Sequence, residues 1–161
     1  MLRSPFDDLT APGGLPPLLT DRSVSWQGGR MDPVVRMLED DAASRALGIE
    51  VLEAGNGSAT ARMRVRADMV NGHGIVHGAF VFAVADTAFA CACNSHGPIT
   101  IAAAADITFI APGREGELLE ARAEERTRFG RSGIYDVTVR RGTDVIAEFR
   151  GTSRTIERPS S

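Results

Sequence analysis

One long apolar segment, Ala79–Cys93, limits the folds open to this chain more than any other feature. Thirteen of its fifteen residues are apolar, and the exceptions are Asp86 and Thr87. A helix that is apolar on every side is a buried one, so the segment predicts a helix buried all round. A carboxylate there is costly unless it is paired or hydrogen-bonded, and perturbed groups gather at functional sites. Asp86 is therefore a candidate catalytic residue, the alternative being a carboxylate satisfied by neighbouring donors.

Length and composition indicate one ordinary soluble domain. The 161 residues are 43% hydrophobic, which is enough for a normal core. A net charge of −3 gives no basic footprint, so no nucleic-acid partner is expected. All 18 basic residues are arginine, the only fixed cation left for a phosphate. No apolar run reaches the roughly 18–20 residues that span a bilayer, and the N-terminus lacks a signal-peptide h-region, so we expect a cytoplasmic protein without membrane contact.

Cysteine and histidine spacings predict neither a redox motif nor a metal site. Cys91 and Cys93 form no CxxC pair and no disulfide framework, and they predict two small buried thiols. His73 and His77 are four apart, a spacing that suits metal ligands on a helix. Three glycines beside them argue against a helix there, and no third ligand is close in sequence. No metal and no cofactor are therefore expected.

The N-terminal part of the chain divides into an arm and a helix. Residues 1–30 hold four of the eight prolines and two Gly-Gly pairs, which predicts a flexible, extended arm. Asp32 and Pro33 form a usual helix start, an acidic cap with proline in the first turn. We expect one helix from there to about Leu47, ended by Gly48.

Six segments carry the alternating or turn-bounded pattern of strands. In the second, Ala61, Met63 and Val65 alternate with arginines, which predicts one buried and one solvated face. The order helix, two strands, long helix, four strands predicts an α+β domain over residues 31–158, an antiparallel sheet wrapped around the central helix. The predicted strands are Ile49–Ala54, Ala59–Arg66, Thr100–Ile110, Glu117–Thr127, Gly133–Arg140 and Asp144–Thr155.

A polar, glycine-rich approach, Asn71–Gly74, leads to the helix that opens after Gly78. Glycine lets backbone come close to a ligand, and free N–H groups at a helix N-terminus favour developing negative charge. Oxyanion donors at one end of the helix and the Asp86 carboxylate two turns along indicate hydrolysis of an acyl group. Each residue also has a structural alternative: Gly78 allows tight packing, and Asn71 caps the turn.

The motif NGHGIVHGAF, which begins at Asn71, is followed by ADTAFA and resembles the hotdog-fold acyl-CoA thioesterases. It is most similar to their phenylacetyl-CoA thioesterase (PaaI) branch. The resemblance runs from about residue 33 to residue 156 and includes the later sequence FGRSGIYD. The combined spacing of Asn71, the His77-Gly78 pair and Asp86 carries it, since a lone His-Gly pair is uninformative.

The resemblance implies a role for each matching residue. Asp86 stands where the family has its catalytic carboxylate, as general base or nucleophile. The Gly78 N–H would polarise the thioester carbonyl, and Asn71 would hold the attacking water or assist at the carbonyl. Family members need no metal or cofactor and form homodimers or homotetramers. The chain departs from the family at Ala79, where glycine is common, and at Ala102–Ala105, where some relatives carry a hydroxyl.

Binding residues are expected in two further places. Arg128 and Arg131 flank Gly130 in the sequence before the fifth strand, where arginine gives bidentate charge-assisted bonds to the phosphates of CoA; the alternative is solvated loop arginines. His77 is expected to orient the loop beside the substrate through backbone hydrogen bonds. The four-alanine strand Ala102–Ala105 either packs closely under the helix or leaves room for a bulky acyl or aryl group.

Helix geometry predicts that each active site is shared between two chains. A helix rises ~1.5 Å per residue, so Asp86 lies roughly 12 Å along the axis from Gly78. One carbonyl must lie ~3 Å from its attacking atom and also near the oxyanion donors. Asp86 of one chain is therefore expected to serve the carbonyl held by Gly78 and Asn71 of another.

The sequence thus predicts an acyl-CoA thioesterase that hydrolyses a small or aryl, phenylacetyl-like acyl-CoA. A hydratase of the same fold would need a histidine paired with Asp86, and histidine is absent from Ala79–Asn94. The alternative from another class is a non-catalytic acyl-CoA-binding regulator or interaction module. Residues 1–30 are too short and too rich in proline and glycine for a helix-turn-helix, which disfavours a DNA-binding regulator.

Overall fold

The computed structural model describes residues 33–156, and the arm predicted for residues 1–30 lies outside them. No helix of the described part has both the length and the apolarity needed to cross a membrane. A 3-10 turn at Ala67–Met69 precedes the long helix. In chain order the other elements are α1 (Pro33–Asp40), α2 (Ala42–Leu47), β1 (Glu50–Gly55), β2 (Ser58–Arg64), α3 (Gly78–Asn94), β3 (Thr100–Phe109), β4 (Leu118–Phe129), β5 (Ser132–Arg141) and β6 (Asp144–Thr155).

The six strands form one antiparallel sheet in the order β1-β2-β4-β5-β6-β3. All six predicted strands are confirmed, with every end within two residues of the prediction. Helix α3 packs against every strand of the sheet, so the wrapped α+β architecture is also confirmed. Because the chain passes from β2 through α3 to β3, the last of these strands is carried to the far edge beside β6.

Alternation on the strands places the core between the sheet and α3. Ala61, Met63 and Val65 are at most 1% exposed, as predicted, while the arginines between them reach solvent. On β6, a Cβ at Gly151 would come within 2.8 Å of the Phe89 ring. The missing side chain therefore allows α3 to lie close against the sheet.

The prediction of one helix from Asp32 to about Leu47 is wrong, because Asp41 divides it. The Asp41 carboxylate accepts the backbone N–H of Ser44 at 2.9 Å and its hydroxyl at 2.6 Å, which makes Asp41 the N-cap of α2. An N-cap residue has non-helical backbone angles, so α1 ends before it and α2 starts anew. Gly48 ends α2 as predicted, with φ of +67°.

The prediction that the long helix is buried all round is also wrong for the single chain. Cys91 and Cys93 are buried thiols, as predicted, but a stripe on another side of α3 is not fully covered. A sheet covers one side of a helix, and the stripe faces away from it with the three-to-four-residue spacing of one helical face. The stripe consists of Ala79, Ala83, Asp86 and Ala90.

Strand β3 leaves a second surface uncovered. The sequence predicts that Ala102–Ala105 either pack under the helix or leave room for an acyl group, and in the single chain they are exposed at the sheet edge. Close packing under α3 of the same chain is therefore wrong. Ile101 is 49% exposed on the same strand. A ten-residue edge strand with exposed apolar side chains is a ready surface for pairing.

Candidate active site

Gly78 is the first residue of α3, and its backbone N–H has no hydrogen-bond acceptor within the described range. His77 is the N-cap, and its Nδ1 accepts the N–H of Ala79 at 3.1 Å. The N–H of Phe80 donates to the His77 carbonyl at 2.9 Å. Of the first three amides of the helix, the Gly78 N–H thus remains for a ligand among residues 33–156. Such an amide favours an anion or a developing negative charge.

Asn71 holds the loop before the helix through its side-chain oxygen. Its Oδ1 accepts the N–H of His73 at 2.9 Å, and its backbone N–H donates to the Ile75 carbonyl at 2.8 Å. Gly74 completes the turn at φ +72°. No group in the described part of the chain accepts the side-chain amide hydrogens. The residue is therefore a turn cap that also offers donors.

Asn71 and Gly78 line the same apolar pocket of about 480 Å³. Phe109, at the end of β3, forms part of its wall and is 54% exposed. A Cβ added at Gly78 would lie 2.8 Å from the Phe109 ring, so the ring sits directly over the start of α3. The pocket thus combines an aromatic wall with donors at one end.

Asp86 occupies the middle of α3 and lies on its uncovered stripe. Within residues 33–156 no donor hydrogen-bonds or pairs with its carboxylate, so the alternative of a carboxylate satisfied by neighbouring donors is not observed. Burial, and then the nearby negative charge of Asp41, raises the pKa of Asp86. The side chain is a half-buried carboxylate that nothing in its own described chain neutralises.

A second pocket, of about 440 Å³, lies at the opposite end of α3 from Gly78. Arg128, Gly130 and Arg131 line it together, and Gly130 has φ of +56° in the tight β4–β5 turn. This end of α3 is roughly 12 Å along the helix axis from Asp86 and roughly 24 Å from Gly78. The predicted phosphate-binding residues therefore converge, but away from the oxyanion donors of the same chain.

The structure consequently forms two separate groups of site residues with Asp86 between them. Asn71, His77 and Gly78 meet at the start of α3, and the arginines meet at its end. The pocket at the end also contains His96, whose ring contacts Glu125, and this pair was not predicted from the sequence. The two residues are 29 positions apart on different elements, so no motif spacing links them.

Comparison with known proteins places this chain in a family. A profile described as "Thioesterase superfamily" matches residues 73–148. The acyl-coenzyme A thioesterase PaaI of Escherichia coli (strain K12) is 43% identical over 133 residues, which are 82% of this chain and 91% of that protein. The chain belongs to the thioesterase superfamily. The predicted PaaI branch is confirmed by the same similarity.

Solved structures of this thioesterase branch share the fold. The E. coli PaaI protein from the phenylacetic acid degradation operon superimposes with a TM-score of 0.76 at 40% identity, covering 78% of this chain and 91% of that chain. A variant of the phenylacetic acid degradation protein PaaI from Thermus thermophilus gives 0.70 at 37% identity, covering 72% and 100%. The predicted hotdog fold and the prediction that the chain is a thioesterase enzyme are confirmed.

Proposed function

We propose that this thioesterase hydrolyses a small or aryl acyl-CoA, such as phenylacetyl-CoA, to the free acid and CoA. The observation that carries the proposal is the Asp86 carboxylate, half-buried and without a donor among residues 33–156, on a helix whose first amide N–H is free in the same range. The similarity to PaaI proteins of phenylacetic acid degradation supports the aryl substrate class.

The chemistry needs one oxyanion site and one carboxylate. In the proposed mechanism the Gly78 N–H, assisted by the Asn71 amide, stabilises the negative charge that develops on the thioester oxygen. Asp86 acts either as general base or as nucleophile. As a base it takes a proton from water, whose oxygen attacks the carbonyl carbon. As a nucleophile it forms a mixed anhydride that water then cleaves. In both routes the C–S bond breaks and CoA leaves as the thiolate.

The complete site is proposed to form between two chains of a homodimer or homotetramer. Asp86 is roughly 12 Å along α3 from Gly78 of its own chain, too far for both to act on one carbonyl. The uncovered α3 stripe and the exposed edge of β3 provide surfaces on which a second copy can pack. In this arrangement a two-fold axis passes α3 midway between Gly78 and Asp86 and makes the two copies of α3 antiparallel. The Asp86 carboxylate of each chain then lies beside the Gly78 N–H of the other.

The phosphates of CoA are assigned in this proposal to the pocket at the end of α3. Arg128 and Arg131 provide two fixed positive charges around the Gly130 turn. The pocket is roughly 12 Å along the axis from Asp86 of the same chain. The nucleotide and the catalytic carboxylate of one site thus belong to one chain, and the oxyanion donors belong to its partner.

Thiol release from a panel of acyl-CoA esters tests this function. We expect the wild-type enzyme to cleave phenylacetyl-CoA or short acyl-CoA, and Asp86→Asn to lose at least ~10²-fold in kcat. Glu115→Gln, which neutralises an exposed carboxylate, is the matched control and should retain full rate. Acyl-CoA binding without thiol release in the wild type would instead support the non-catalytic alternative, and full turnover by Asp86→Asn would contradict the assigned role.

A further inference from the structure

The pocket that contains the arginines also has a carboxylate beside it, which is unexpected for an anion site. Glu125 is on β4, and its side chain is 26% exposed. Arg128 Nε lies 3.7 Å from Glu125 Oε1. A negative charge at this distance attracts the same guanidinium that a phosphate would use, and it repels the phosphate. The carboxylate must be neutralised for the pocket to bind an anion well.

Two side chains from other parts of the chain contact the Glu125 carboxylate. The Tyr135 hydroxyl donates to Glu125 Oε2 at 2.9 Å, and His96 Nε2 lies 2.5 Å from the same oxygen. Burial acts to raise the pKa of Glu125, but hydrogen bonds from Tyr135 and His96, with the charges of His96 and Arg128, lower it overall. Burial and the Glu125 hydrogen bond raise the pKa of Tyr135, so tyrosine remains a neutral donor. In the described part of the chain, His96 and Arg128 are the groups that bring positive charge to Glu125.

His96 and Arg128 differ in where they approach Glu125. The His96 ring is 23% exposed, lines the pocket and approaches Glu125 from the turn after α3. Arg128 lies near the end of β4, in the β4–β5 hairpin, and its side chain is 54% exposed. When His96 carries a proton, it neutralises Glu125 from inside the protein. Arg128 then remains available on the ligand side.

We propose that His96 is a positioning residue of the nucleotide-phosphate site, which neutralises Glu125 so that Arg128 acts on the anion. With His96 in its protonated form, the side chains of His96, Glu125 and Arg128 sum to a charge of +1; with neutral His96 they sum to zero, and Arg128 is drawn toward the Glu125 carboxylate. This inference rests on the proposed placement of CoA phosphates in the pocket at the end of α3.

A purely structural role for the cluster makes a different prediction. The backbone N–H of Glu125 donates to the Gly57 carbonyl at 2.9 Å, so β4 is tied to the β1–β2 turn independently of the Glu125 side chain. If His96 only stabilised this corner, its loss would lower the melting temperature and affect all ligands alike. If it prepares the anion site, its loss affects ligands with phosphates, and removal of Glu125 compensates.

Calorimetric titration of the intact protein with CoA and with pantetheine, which lacks the nucleotide phosphates, separates these roles. We expect His96→Gln to weaken CoA binding about fivefold and to leave pantetheine binding unchanged. Glu125→Gln should not weaken CoA binding, and the double variant His96→Gln/Glu125→Gln should bind CoA as Glu125→Gln does. His73→Gln, an exposed histidine at the other end of α3, is the matched control and should bind as the wild type.

The remaining outcomes count against the inference in distinguishable ways. Equal weakening of CoA and pantetheine by His96→Gln, or a double variant that keeps the single-variant defect, overturns the role of His96. Unchanged CoA affinity in His96→Gln does the same while leaving the proposed function intact. A wild-type protein that binds CoA no more tightly than pantetheine overturns the placement of the phosphates and this inference with it.

Discussion

At the scale of single residues, the carboxylate of Asp86 has the central role. It lies on a half-buried helix face, no described residue of its own chain donates to it, and Asp41 adds a second negative charge nearby. Carboxylates with perturbed pKa values concentrate at functional sites. The same burial gives Asp86 two measurable consequences, one for catalysis and one for stability.

The pH dependence of turnover should report the raised pKa of Asp86. Both proposed roles need the ionised carboxylate, so kcat should fall on the acidic side with an apparent pKa above the ordinary aspartate value of about 3.9. Asp41→Asn keeps an N-cap acceptor for Ser44 but removes one charge that raises this pKa. Its acidic limb should therefore move to lower pH, while Asp40→Asn serves as the control. Coincident profiles for wild type and Asp41→Asn would contradict this electrostatic account.

Neutralising Asp86 should not destabilise the fold. Because its folded pKa is raised, the protonated form favours folding, and this contribution is lost as the pH rises through the folded pKa. At pH 7 the ionised side chain therefore opposes folding. We expect Asp86→Asn to melt at the wild-type temperature or above it at pH 7, with the gap closing below about pH 4. Thermal unfolding at both pH values checks this, and a large loss of stability at pH 7 would show a structural role.

At the scale of elements, α3 separates the parts of the site by its length. Its seventeen residues place Gly78 at one end, Asp86 in the middle and the arginine pocket beyond the other end. The β4–β5 hairpin supplies that pocket because Gly130 adopts positive φ and turns the strands tightly. Substitutions in this hairpin can thus test phosphate binding without altering the groups at the reacting carbonyl.

Arg131→Ala should raise the KM for acyl-CoA, and so should Arg128→Ala. A charge-assisted bond is worth roughly 1.5–3 kcal/mol, but exposed side chains realise less, so we expect about a fivefold to tenfold rise. The KM for a truncated pantetheine thioester should change little, because this substrate lacks the phosphates. Arg114→Ala, an exposed arginine outside the pocket, is the control. Equal effects on both substrates would remove the hairpin from the nucleotide site.

The elements are predictable from the sequence where local pattern decides them. Alternation and turn signals predict every strand, and the apolar run predicts α3 to within one residue at each end. The break at Asp41 is not predicted, because the same residues also fit the pattern of a continuous helix. The hydrogen bond from the Ser44 N–H to the Asp41 carboxylate decides for the break. The pairing of His96 with Glu125 depends on sheet register across 29 residues, which no local signal contains.

At the scale of the whole molecule, one chain accounts for the core but not for the proposed site. The prediction that α3 is buried all round fails in the single chain, and the residues left uncovered include Asp86. Both this stripe and the β3 edge are apolar surfaces that a second copy can cover. Helix rise alone predicts that Asp86 and Gly78 lie too far apart to cooperate in one chain, and the continuous helix between them keeps that separation.

Subunit complementation tests the shared site most directly. One parent is Asp86→Asn, and the other combines Asn71→Ala with Gly78→Pro, since proline lacks the N–H and its backbone suits the first helical position. The proline ring displaces the exposed Phe109 ring, which lies 2.8 Å from the position of a Cβ at Gly78. Each parent alone should be inactive, with wild-type folding verified by circular dichroism and melting. The chains are mixed after reversible dissociation, and exchange is verified by mass spectrometry of tagged subunits.

A shared site predicts that the mixture recovers about a quarter of wild-type activity. Random pairing makes about half of the dimers mixed, and each mixed dimer contains one intact site of two, formed by Asp86 of one chain with Gly78 and Asn71 of the other. If the parents fold and exchange subunits yet the mixture remains inactive, each site lies within one chain and the central claim is wrong.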